Sequence, residues 1–135
     1  MSGWKNSDYS YDYAFCKTTT ASNGGALGAW WGGCREGPMY KAGYGDKFGN
    51  NRYDEEESAT ASCVNLGDSK KAEKSLGNLG HGSSGGAWVY SENGNYYQFS
   101  GVSTGGSGVQ YGPQWDSSTK KLYTYIKGQT CGRQV

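Results

Sequence analysis

The clearest pattern of apolar and polar positions lies between residues 87 and 102. Ala87-Trp88-Val89-Tyr90-Ser91 and Tyr96-Tyr97-Gln98-Phe99-Ser100-Gly101-Val102 are β-rich runs on either side of Glu92-Asn93-Gly94-Asn95. Asn-Gly tolerates positive φ at both turn positions, so this stretch predicts a β-hairpin. Shorter β-rich runs predict further strands over 11–16, 39–44, 58–64, 109–111 and 121–126. Strands this short, at this spacing, fit a closed antiparallel barrel. Two segments read as exposed connections. One is the acidic run Asp54-Glu55-Glu56-Glu57, which lacks the alternating oxygen ligands and sharp-turn glycine of a calcium loop. The other is Lys70-Lys71-Ala72-Glu73-Lys74, of mostly opposite sign. No repeat or linker divides the chain, and its length predicts one domain over residues 1–135.

Composition strengthens the all-β reading. Twenty-four glycines against two prolines disfavour long helices, because a glycine inside a helix costs about 1 kcal/mol relative to alanine. Leu, Ile, Val and Phe supply only about a tenth of the residues, a level that would suggest disorder in a highly charged chain. The formal net charge is only +1, and twelve Tyr, five Trp and three Phe offer roughly 150–250 Å² each to a core of aromatics, Ala and Gly. Balanced charge without a basic stripe excludes a nucleic-acid footprint. No apolar run has the length to cross a bilayer, so no membrane partner is expected.

Cys16, Cys34, Cys63 and Cys131 contain no C-x-x-C pair, so disulfides are expected rather than a metal site, with all three connectivities open. Bridges would imply an oxidising compartment. The start Met1-Ser2-Gly3-Trp4 has neither the basic nor the apolar region of a signal peptide, which fits a native initiator or a methionine placed before a mature secreted chain.

The stretch with chemical content is Gly80-His81-Gly82-Ser83-Ser84-Gly85-Gly86-Ala87-Trp88. A serine hydroxyl becomes a useful nucleophile only on a tight turn where backbone N–H groups also face the oxyanion that forms, and flanking glycines permit such a turn. This run resembles the Gly-x-Ser-Gly-Gly-Pro nucleophile loop of chymotrypsin-like serine proteases, especially their secreted bacterial and fungal branch. Phe99-Ser100-Gly101-Val102-Ser103-Thr104-Gly105-Gly106 is similar to the Gly-Val-x-Ser-x-Gly strand that lines the family's specificity pocket. Tyr111-Gly112-Pro113-Gln114-Trp115 with Leu122-Tyr123-Thr124-Tyr125 resembles its final segment. Upstream, Tyr11-Asp12-Tyr13-Ala14-Phe15 resembles the strand carrying the family's aspartate, and Ala42-Gly43-Tyr44-Gly45 one of its turns. The likeness runs over roughly residues 4 to 126.

The resemblance implies a single antiparallel Greek-key barrel like the C-terminal domain of these proteases. It makes Ser84 the nucleophile, Asp12 the acid that orients a histidine, and the Gly82 and Ser84 amides the oxyanion donors. Ser103, Thr104 and Gly105 would wall the substrate pocket, with Asn78 at its base and His81 at its entrance. Thr104 would take the place of the serine that supports the aspartate. No cofactor is implied, since serine acyl transfer uses only side chains and backbone donors.

The chain departs from the family at the third member of the triad. That histidine belongs to the first barrel, before the aspartate, whereas the only histidine here is His81, three residues before Ser84 on the same loop. Ala87 replaces the usual proline, a smaller change. A serine without its base keeps its proton, so the isolated chain is expected to be inactive. A lone C-terminal barrel would also expose the face that packs on its partner. The reading is therefore half of a secreted serine endopeptidase acting on peptide or protein substrates, completed by an N-terminal barrel chain. The alternative is a non-catalytic, protease-derived barrel that binds or self-assembles outside the cell through exposed Tyr and Trp.

Overall fold

The computed structural model describes residues 9–21, 23–47, 54–67 and 71–130. Its strands are β1 (Gly28–Ala29), β2 (Gly37–Gly43), β3 (Glu55–Asn65), β4 (Lys71–Leu76), β5 (Ala87–Glu92), β6 (Asn95–Gly101), β7 (Thr104–Gly106) and β8 (Val109–Pro113), followed by one helix, α1 (Ser117–Lys127). They form a single sheet in the order β1-β6-β5-β2-β3-β4-β8-β7, antiparallel throughout except where β1 pairs with β6. The sheet curls back on itself beyond β6. Ser100 Oγ donates to Pro113 O at 2.7 Å, and the Ser103 amide donates to Tyr111 O at 2.9 Å, joining the end of β6 to β8.

The expected hairpin is β5 and β6. Glu92 pairs with Asn95 across Asn93 and Gly94, whose φ values of 50° and 77° give the two left-handed positions of a tight hairpin turn. Alternation on these strands aims Trp88, Tyr90 and Phe99 inward, where they meet Met39, Ala61 and Val102. Trp88 and Phe99 are fully buried, with ring centroids 6.3 Å apart in an edge-on arrangement. Truncating either would cost about 3–5 kcal/mol, more than any polar contact described below except the buried ion pair.

A second aromatic cluster ties the ends of the chain to the barrel. Trp31 stacks on Trp115 at 5.6 Å, Phe15 meets Trp115 edge-on at 5.5 Å, and Tyr123 of α1 lies 5.6 Å from Phe15. This cluster docks the segment around Phe15 and the helix onto the same side of the sheet.

Four local expectations are corrected. Residues 11–16 form no strand; a 3-10 turn at Tyr9–Tyr11 leads into extended chain. The predicted strand over 121–126 is helix α1. Asp116 caps its first turn, accepting from the Ser118 and Thr119 amides at 2.8 and 3.2 Å, while Thr119 Oγ1 accepts from the Asp116 amide. Burial alone would push the Asp116 carboxyl up, but these donors hold it below its usual value. The alternating Tyr and Leu residues had read as strand; the cap and the Phe15 and Trp31 rings decide for helix.

The acidic run 54–57 is the start of β3, not a loop, and the basic segment is largely β4. Asp54, Glu56 and Lys71 stay exposed, whereas Glu57 and Glu73 turn into the fold. Lys41 Nζ lies 3.0 Å from Glu57 Oε2 and donates to Leu76 O at 3.0 Å, and Lys47 reaches the other Glu57 oxygen at 3.0 Å. Desolvation lowers the Lys41 ammonium below its usual pKa despite Glu57, whereas the two lysines overcome burial and hold the Glu57 carboxyl down. Glu73 of β4 is fully buried, and desolvation pushes its carboxyl up to about 7.

Cys34 and Cys63 form a disulfide between the segment before β2 and β3, closing a separation of 29 residues. Cys16 is exposed, with no disulfide partner among the described residues, and Cys131 lies outside them.

Candidate active site

The loop joining β4 to β5 carries Ser84, and its shape is set by a compact set of neutral hydrogen bonds. The Asn78 side chain accepts from the Gly80 amide at 2.8 Å and donates to Gly106 O at 2.7 Å. Ser83, almost fully buried, donates its hydroxyl to Gly80 O at 2.7 Å. Gln110 of β8 reaches up from beneath. Its amide nitrogen donates to Asn78 Oδ1 and Ser83 Oγ, both at 3.0 Å, and so pins the loop at two points. On the outer side Asp46 accepts from the His81 amide at 2.9 Å, and Leu79 O accepts from the Lys47 amide at 3.2 Å.

This bracing forces the chain through left-handed backbone at Gly82, where φ is 91°, a conformation a side chain would resist. The turn is completed by the Gly86 amide donating to Ser83 O at 2.9 Å and the Gly85 amide to Val102 O at 2.7 Å. Ser84 is left exposed. The Gly82 and Ser84 amides donate to no acceptor among the described residues.

Asp12 comes to the same place from the far end of the chain. Its Oδ2 accepts the Ser103 hydroxyl at 2.5 Å, a charge-assisted contact between residues 91 apart. Asp12, Ser84 and Ser103 all line one open hollow of about 1000 Å³, whose walls also include Tyr11, Val102 and Trp115. Ser103, not Thr104, thus supports the aspartate. Thr104 instead begins β7 opposite Tyr111, one residue further on.

The remaining sequence-derived site residues divide. Asn78 stands beside Gly105, whose missing Cβ would lie 3.2 Å from Asn78 Nδ2, so the expected pocket base and wall do meet. The Asn78 amide group is, however, taken up by the loop itself. His81 is exposed on the outer side of the loop and is not among the residues lining the hollow with Asp12 and Ser84. Gln110, which sequence reasoning passed over, is as central to the loop as any residue within it; its burial inside a run of Val, Tyr and Gly was the available signal.

A curled β-sheet with a serine on a glycine turn, beside an aspartate held by a second serine, has the architecture of the chymotrypsin-like serine protease barrel, and this chain has that fold. Two solved structures carry the likeness. One is a thermostable serine protease, AL20, from an extremophilic microorganism, with a TM-score of 0.67 at 24% identity over 79% of this chain and 50% of its own. The other is the protease Anisep from Arthrobacter nicotinovorans, with a TM-score of 0.67 at 24% identity over 82% of this chain and 55% of its own. The chain therefore spans about half the length of these two proteases. No family model and no curated protein matches it.

Proposed function

We propose that this chain is the nucleophile-bearing half of a secreted serine endopeptidase, completed by a separate barrel that supplies the histidine. The observation that carries this reading is the Ser103 hydroxyl on Asp12 in the same hollow as Ser84. An aspartate held in this way is poised to orient an imidazole, and no histidine of this chain lines that hollow. In the completed site Ser84 Oγ would attack a peptide carbonyl, its proton passing to the partner's imidazole. The Gly82 and Ser84 amides would then donate to the oxyanion. The aromatic walls of the hollow give the partner barrel an apolar face to cover. The Cys34–Cys63 bridge fits an oxidising compartment, and among the described residues no helix is long and apolar enough to cross a membrane.

The test is covalent labelling by a fluorophosphonate probe, with imidazole added as a diffusible substitute for the missing base. Slow labelling at Ser84 is expected alone, faster labelling with imidazole, and none in Ser84→Ala. Equal labelling with and without imidazole, or none in either, would overturn the reading.

A second reading rests on the exposed rings of Tyr40, Tyr44, Tyr96 and Tyr125, which provide contact area for binding or self-association without chemistry. Under it, Ser84→Ala leaves the biological activity intact, while replacing these tyrosines abolishes it.

A further inference from the structure

Away from the hollow, β3 and β4 bring together three groups that the sequence keeps apart. Cys63 of β3 is the register partner of Glu73 of β4, and the disulfide adds Cys34 to the pair. One ligand atom from each of the three residues lies within 4.8 Å of the other two. Glu73 is fully buried. Its Oε1 accepts from the Arg35 amide at 2.6 Å, while its Oε2 is buried with no hydrogen-bond partner among the described residues. An unpaired carboxylate oxygen inside a protein is costly, and one carboxylate oxygen of Glu73 lies within 4.8 Å of both sulfurs.

We infer that Cys34, Cys63 and Glu73 form a redox-gated site for a single zinc-type divalent cation. In the oxidised chain the sulfurs are bonded to each other and the site is closed. A thiol reductant attacks the sulfur of Cys63, the exposed member of the pair. The S–S bond breaks, two electrons pass to the cysteines, and the reductant's own sulfurs end as a disulfide, leaving two thiols. Metal binding then displaces the two thiol protons, and the carboxyl proton where Glu73 holds one, to solvent and forms two metal–sulfur bonds and one metal–oxygen bond.

The geometry suits this exchange. Zinc–sulfur bonds of about 2.3 Å and zinc–oxygen bonds of about 2.1 Å hold tetrahedral ligands roughly 3.5–3.8 Å from one another. The three atoms already lie inside a compatible radius, so rotation of the freed thiols suffices. The Arg35 amide orients the carboxylate through one oxygen and leaves the other to bind, as outer hydrogen bonds do for metal-ligating carboxylates. Two thiolates with one carboxylate favour zinc over magnesium or calcium. The exposed side at Cys63 leaves the fourth position to water.

The test uses the full chain with Cys16→Ser and Cys131→Ser, so that only this cysteine pair remains, and Co²⁺ as the spectroscopic probe. The reduced protein should bind one Co²⁺ with thiolate-to-metal charge-transfer absorption that Zn²⁺ displaces, and the oxidised protein should show none. Glu73→Gln should weaken binding about tenfold or more. Cys63→Ser, at an exposed position, should roughly halve the absorption. Absent charge transfer, equal signals before and after reduction, or unchanged affinity in Glu73→Gln would overturn the inference. If reduction unfolds the chain, Zn²⁺ must restore its tryptophan fluorescence; failure to do so also overturns it.

Discussion

Around Ser84 the side chains beneath the loop are neutral, Asn78, Ser83 and Gln110 holding one another and the loop's own carbonyls, while the charged Asp46 takes the His81 amide on the outer side. Along β2, β3 and β4 the fixing side chains are charged: Lys41 with Glu57 and Lys47, and Glu73 on the Arg35 amide. The neutral brace sets the loop's path without using the Gly82 and Ser84 amides, which have no acceptor among the described residues. The charged wall does the opposite, since Glu57 takes up both Lys41 and Lys47 within the fold. Glu73 Oε2 is a buried oxygen of that wall with neither a hydrogen bond nor an ion pair among the described residues.

The largest expected effect tests the charged side. Glu57→Ala leaves Lys41 buried without its counter-charge and should destabilise the fold by about 3–5 kcal/mol in urea unfolding. Replacing both, as Lys41→Met with Glu57→Leu, should recover most of that loss, because well-packed apolar residues substitute for a buried pair at little cost. A loss below about 1 kcal/mol in the single variant would mean that solvent and the Leu76 carbonyl suffice for Lys41.

Gln110→Leu sharpens the contrast from the neutral side. Losing both donations should cost about 2 kcal/mol and slow imidazole-assisted labelling of Ser84, through a misplaced loop. Unchanged labelling would show that the turn holds its shape without the brace.

Ser103→Ala should cost less, about 1–2 kcal/mol, since Asp12 keeps access to water. Its informative readout is again the imidazole acceleration, which should shrink if Asp12 orients the base.

The smallest effect is on acid stability. Glu57 titrates below its usual 4.5 in the folded chain, so the stability it contributes is present above that value and is lost as pH falls through the depressed folded value. The doubly substituted Lys41→Met, Glu57→Leu chain should lack this step in its melting curve against pH; an identical step would assign it elsewhere.

Much of this architecture was legible because turn chemistry is local. Asn93-Gly94 set the hairpin, and the glycine-flanked serine marked the exposed turn. What escaped depended on partners distant in sequence. The run 121–126 alternates like a strand, and its place in a helix becomes readable only from the Asp116 and Thr119 cap and the aromatic cluster that receives Tyr123. Lys71 and Glu73 looked like a solvated run because nothing near them in sequence shows that β8 and the disulfide cover the glutamate. The pairing of Cys34 with Cys63 was one of three arrangements that spacing could not separate. Ser103 and Thr104 are adjacent hydroxyls, and only the approach of Asp12 distinguishes them.

The segment from Asp12 to Lys17 is secured by groups remote along the chain: Ser103 at one end and, at the other, the carbonyls of Lys127 and Gln129, which accept from the Lys17 ammonium at 3.0 Å each. Contacts separated by 91 to 112 positions are entropically the last to form, so this strap should settle only after the β-sheet and helix have assembled. A newly made molecule would therefore pass through a stage with its hydroxyl turn in place and its acid still swinging free. In that order of events, the hydrogen bond between Asp12 and Ser103 closes at the very end of maturation.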